Sequence, residues 1–151
     1  CLALTLLLFS AAEGWSADLG RGLDAARKGD FVTSLREWTP LAEQGNPSAQ
    51  FNLGLMYRNG DGVLQDHEES AKWFRRAAEQ GEADAQYNLG LRYGQGQGVP
   101  LDFVWALMWS NIAASQGHKK ATELGDLIAS IGLQTNNLNS SKNHRSAKTC
   151  P

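Results

Sequence analysis

The sequence predicts an all-α fold, an α/α superhelical solenoid of stacked helix pairs, and three observations predict it. The segment Ala49-Gln50-Phe51-Asn52-Leu53-Gly54-Leu55-Met56-Tyr57 returns 36 residues later as Ala85-Gln86-Tyr87-Asn88-Leu89-Gly90-Leu91-Arg92-Tyr93, and sixteen of the 33 positions from Ala49 to Gly81 are identical in the second copy. Aspartates recur at the same period, at Asp30, Asp66 and Asp102, each where a helix is due to start. Each copy also carries a G-x-G between two apolar-striped segments. A unit this short cannot bury its own apolar face and must stack on its neighbours, which makes the chain a binding scaffold before it is an enzyme.

The elements follow in chain order. Cys1 to Phe9 is an almost unbroken apolar run followed by Ser10, Ala11 and Ala12. That pattern is the apolar region and cleavage zone of a secretory signal peptide, too short for a membrane span, so residues 1–17 are expected to be a targeting segment and the chain to be exported, periplasmic or secreted. Cleavage after Ala12 places small residues at both expected sites, and Ala17 is the alternative. Residues 18–131 are expected to form the solenoid. Its helices are predicted near 18–28, 31–44, 47–58, 67–80, 83–94, 103–116 and 119–131, the last an atypical capping helix. Residues 132–151 are polar, rich in Asn and Ser, and without helical period, which predicts a disordered tail.

Within each unit the first helix places Ala49, Leu53 and Tyr57, or Ala85, Leu89 and Tyr93, on one stripe. Gly54 and Gly90 sit mid-helix at a cost of about 1 kcal/mol relative to alanine, so their retention predicts close approach by a neighbouring helix. The turns Asn59-Gly60-Asp61-Gly62-Val63 and Gln95-Gly96-Gln97-Gly98-Val99 end that helix with glycines suited to positive φ. They follow a helix and lack a third glycine, unlike a dinucleotide loop. Asp66 and Asp102 then cap the second helix, with Glu69 placed to complete a capping box. Trp73 with Ala77, and Trp109 with Ala113, continue the apolar stripe and are expected in the core. His67 opens a sequence like a helical zinc motif, but Ala71 stands where a second histidine is required.

Charge and cysteine usage narrow the function. The chain carries −2 overall, and the tail from Gly132 contributes Lys142, Arg145 and Lys148 without an acid, which leaves −5 on residues 1–131. A mildly acidic solenoid is unsuited to phosphate backbones, so no nucleic-acid partner is expected. Cys1 and Cys150 are the only cysteines, and loss of the first with a signal peptide would leave no intramolecular disulfide. His67, His118 and His144 lie at no useful spacing from a serine or cysteine nucleophile. No catalytic residue, metal or cofactor is expected.

The combination A-x-x-x-L-G-x-x-Y-x-x-G-x-G-V-x-x-D followed by W-x-x-x-A-A-x-Q-G resembles the Sel-one-like repeat (SLR), a branch of the tetratricopeptide-like superfamily, over about residues 25–121. The resemblance implies first-type helices that line a concave face and a non-catalytic role in protein–protein interaction, often in the bacterial envelope. Its alternative is a periplasmic hydrolase, β-lactamase-like or penicillin-binding, as described for cysteine-rich relatives. Cysteines in each repeat and an S-x-x-K are both missing here.

On a helical wheel started at Ala49, Asn52 and Met56 fall beside the apolar stripe, and Asn88 and Arg92 take the same places one repeat on. Asparagine is a weak helix former, so its recurrence calls for a reason. One is a strut between repeats. The other is a polar row that meets the backbone of another protein or peptide, which makes Asn52, Met56, Asn88 and Arg92 the candidate partner-binding residues.

Overall fold

A computed structural model of the chain describes residues 17–146, so the expected signal segment lies almost entirely outside the described residues, as do residues 147–151. The described residues form seven α-helices and no strand: α1 (Leu19–Arg27), α2 (Phe31–Glu43), α3 (Pro47–Asn59), α4 (His67–Glu79), α5 (Ala83–Gln95), α6 (Phe103–Ser115) and α7 (Lys119–Ser146). Each helix packs chiefly on the helices before and after it in sequence, the contact pattern of a solenoid.

Side chains start these helices as the aspartate spacing predicts. Asp30 accepts from the Thr33 N–H, Asp66 from Glu68 and Glu69, and Asp102 from Val104 and Trp105, at 2.9–3.1 Å. Asp18 does the same for α1, and Asn46, followed by Pro47 in the first turn, caps α3. The expected capping box at Asp66 does not close. The Asp66 N–H donates to the Tyr57 carbonyl at 2.9 Å, and Asp102 does the same to Tyr93 at 3.0 Å, so the donor that Glu69 would serve is already occupied. Glu69 pairs with Lys72 instead.

The turn glycines return the chain as their spacing predicts. Gly60 and Gly62 adopt φ of 80° and 72°, and Gly96 and Gly98 adopt 65° and 73°, values that other residues rarely take. A Cβ on Gly62 would stand 2.7 Å from that of Phe31, and one on Gly98 would collide with the backbone carbonyl of His67, each the first residue of the preceding second-type helix.

Two apolar clusters fill the stack. Trp38, Ala42, Ala49, Leu53, Met56 and Trp73 form one, and Phe74, Ala77, Ala78, Ala85 and Leu89 the other, with Trp109 packed half-buried against the second. Trp73 is therefore a core residue as expected, whereas Trp109 lies at the edge of the core. The helical glycines are places of close approach: Gly54 lies against the Phe74 ring, and Gly90 against Ser110 and the Ala106 carbonyl.

The C-terminal end departs from the sequence reading. α7 does not stop near 131 but continues to Ser146, across most of the segment expected to be disordered. No proline interrupts it, and extending a helix already nucleated on α6 needs only one hydrogen bond per residue fixed, so weak formers such as Asn and Ser are carried along. His118 anchors its start, donating through Nε2 to Asp84 Oδ1 (3.0 Å), accepting at Nδ1 from the Ala121 N–H, and stacking on Tyr87 at 4.7 Å.

Candidate functional site

The four candidate residues sit on α3 and α5, and the structure separates them by environment. Met56 is 3% exposed and belongs to the core with Trp38 and Trp73, so it lies behind the face rather than on it. Asn52 is half-buried, and its amide has no hydrogen-bond partner among the described residues. Asn88 is buried. Its Nδ2 donates to the Asp84 carbonyl one turn back at 2.7 Å, and its Oδ1 accepts from Arg58 Nη1 at 3.0 Å, a bond spanning 30 residues from the preceding first-type helix. The two asparagines thus share a repeat position but not a bonding pattern, since the bond to Asn88 comes from the preceding first-type helix and no residue of α1 makes it to Asn52.

Arg92 lies one turn along α5 from Asn88 and is 5% exposed. Its Nη1 donates to Gln97 Oε1, while its Nε–H is buried without a partner. Desolvation, and after it the neighbouring positive charge of Arg58, lowers its pKa below the ordinary arginine value. Arg58 and Gln97 are the residues that sequence reasoning missed. Neither repeats at the 36-residue period in kind, and the meeting of Arg58 with Asn88 depends on how α3 and α5 are packed.

A second feature lies on α6. Val104, Trp105, Met108 and Ile112 are all exposed along it, where the matching positions of α4 are Glu68, Glu69, Lys72 and Arg76. Among the described residues, no helix is long and apolar enough to cross a membrane, and no three His, Cys, Asp or Glu side chains come together as a metal site would need.

A family model described as the Sel1 repeat matches this chain twice, over residues 47–82 and 83–118. The crystal structure of a Sel1 repeat protein from Oxalobacter formigenes is similar at 33% identity with a TM-score of 0.72, covering 76% of this chain and 47% of that one. That of a protective antigen present in uropathogenic Escherichia coli strains, displaying an SLR fold, is similar at 39% identity with a TM-score of 0.64, covering 66% of this chain and 22% of that one. The chain therefore spans less than half the length of either. None of the curated proteins matches. With both repeats matched in phase with the 36-residue period and the fold shared with two solved relatives, the chain carries two Sel1 repeats in an SLR fold.

Proposed function

We propose that the chain is a non-catalytic protein-interaction scaffold, exported to the bacterial envelope, whose α3/α5 face receives a segment of another protein. The observation that carries this reading is the polar row Asn52, Arg58, Asn88 and Arg92 on two consecutive first-type helices of a solenoid. A Sel1-repeat stack supplies a rigid, extended face, and fixed polar groups on such a face offer hydrogen bonds to a partner at little ordering cost. Met56 serves this face from behind, as packing. The apolar run at the start of the sequence supports export.

The test is site-specific photo-crosslinking in the native cell. A photoreactive residue at Asn52 is expected to trap a different protein, whereas one at Val104, on the outward side of α6, is not. Adducts to a different protein only from Val104, or from neither position, overturn the assignment of the face. Cell fractionation that finds the chain in the cytoplasm overturns the envelope location.

A further inference from the structure

α6 carries no charged side chain, alone among the seven described helices. The change from α4 is confined to one side. The buried Ala106, Ser110 and Ala113 take the places of the buried Ser70, Phe74 and Ala77, whereas the exposed Val104, Trp105, Met108 and Ile112 take those of Glu68, Glu69, Lys72 and Arg76. At 100° per residue these four fall within a sector of about 100°, across the helix from the buried three. One of them is held in place. The Trp105 ring stacks on Tyr93 at 5.9 Å, and the Tyr93 hydroxyl accepts from Arg75 Nη2 at 2.6 Å. A tryptophan already fixed has little freedom to lose on meeting a partner, which suits it as an anchor.

A contiguous apolar face turned to solvent marks a docking surface, and the charges at its two ends select what docks. Val104, Met108 and Ile112 stand at every fourth residue and form a ridge of the kind that packs against the same ridge of another helix. Asp102 lies at one end of α6. Just beyond the other end are Lys119 and Lys120, both exposed and neither paired with an acid among the described residues. A second α6, turned antiparallel about a twofold axis at Met108, brings its Lys119–Lys120 end toward Asp102 and its own Asp102 toward the first copy's lysines. The two helix dipoles then oppose each other as well. An anionic bilayer offers no such match, because residues 1–131 carry −5. We propose that Val104, Trp105, Met108 and Ile112 form an isologous interface at which two copies of this chain pair with their α6 helices antiparallel. The interface is separate from the α3/α5 face and does not depend on the function assigned to that face.

The test is sedimentation equilibrium of the purified full chain over a range of concentrations. One helix face is a small interface, so a reversible monomer–dimer equilibrium is the expected result. Met108→Glu, which sets two carboxylates against each other at the axis, is expected to weaken the dimer at least tenfold, and Lys72→Ala, at the matching position of α4, to leave it unchanged. A chain that is monomeric at every concentration, a dimer indifferent to Met108→Glu, or one weakened as much by Lys72→Ala overturns the interface. Should Met108→Glu not fold, Val104→Ser, at a position 79% exposed, is expected to weaken the dimer severalfold, and undiminished dimerisation overturns the proposal. Orientation is read from the purified chain carrying a photoreactive residue at Val104. Joining to the Ile112 turn of the second copy is expected, and joining to Val104 of the second copy overturns the antiparallel arrangement. Uptake of the monomer by phosphatidylcholine vesicles, lost in Met108→Glu, would assign the face to lipid and overturn the proposal.

Discussion

The side-chain amide of Gln80 donates to the side-chain oxygen of Gln50 at 2.7 Å, and Gln50 in turn donates to the Ala42 carbonyl at the end of α2 at 2.9 Å. One repeat on, Gln116 donates to Gln86 at 2.6 Å and Gln86 to the Ala78 carbonyl at 3.0 Å. Each chain of amides ties three successive helices together and gives a second hydrogen bond to a carbonyl at a helix end, which also accepts from the Gly45 or Gly81 N–H. Gln50 and Gln86 are buried, so their polar atoms depend on these bonds.

Replacing Gln86 by Ala is therefore expected to cost about 1–3 kcal/mol, because it removes two hydrogen bonds, the one to the Ala78 carbonyl and the one from the Gln116 amide. Gln116→Ala, at an exposed position, is expected to cost less. A double-mutant cycle read by urea denaturation should show coupling of about 0.5 kcal/mol or more between them, and strict additivity would refute the linkage.

Glycine-to-alanine exchanges in α3 and α5 should differ in sign. In Gly94→Ala the new methyl meets only the Ala106 Cβ at 3.7 Å, so the helix-propensity gain of about 0.5–1 kcal/mol should be realised. In Gly54→Ala it would stand 2.6 Å from the Phe74 ring, and overpacking of about 1–3 kcal/mol outweighs that gain. Chemical denaturation of the two variants side by side decides it.

Trp73 is 8% exposed and its indole N–H is buried without a partner, while the Arg76 guanidinium stacks 4.5 Å from its ring. Trp73→Ala should cost about 3–5 kcal/mol, and Trp109→Ala, at the edge of its cluster, should fall at or below the low end of that range. Trp73→Phe removes the orphaned donor together with part of the ring, and its cost should be much smaller than that of Trp73→Ala. Equal losses for Phe and Ala would show that the indole nitrogen is satisfied after all.

Hydrogen bonds from the Thr33 side chain and backbone N–H hold the Asp30 carboxyl below its ordinary pKa of 3.8. A depressed carboxylate contributes stability that is fully present above that unfolded value and lost as pH falls through the lower folded one. Asp30→Asn should therefore be less stable than the wild type at neutral pH and converge on it in strong acid. Thermal melts at pH 7 and pH 2 measure the difference. A gap that widens on acidification would contradict the sign.

The helix pairs were legible because the 36-residue period, the aspartate caps and the glycine turns all specify local geometry. So was the close approach of a neighbouring helix to Gly54, which a costly mid-helix glycine announces, though not that Phe74 makes it. The bond from Arg58 to Asn88 was not, since it depends on the relative placement of two helices and has no counterpart in the other copy. Met56 shows the same limit: a wheel position beside the stripe does not say how far a neighbouring tryptophan will reach to cover it. The length of α7 escaped a reading based on composition, because composition is blind to a helix already started upstream.

Contacts made chiefly between helices adjacent in sequence also bear on how the molecule is made. No segment of the stack has to wait for a distant one, so a chain emerging end first from a ribosome or a membrane channel can dock each helix pair as it appears. Low contact order of this kind favours fast folding and shortens the time for which apolar surface stands uncovered. Assembly is then directional, and an interruption leaves a shorter stack with native pairing rather than a tangle.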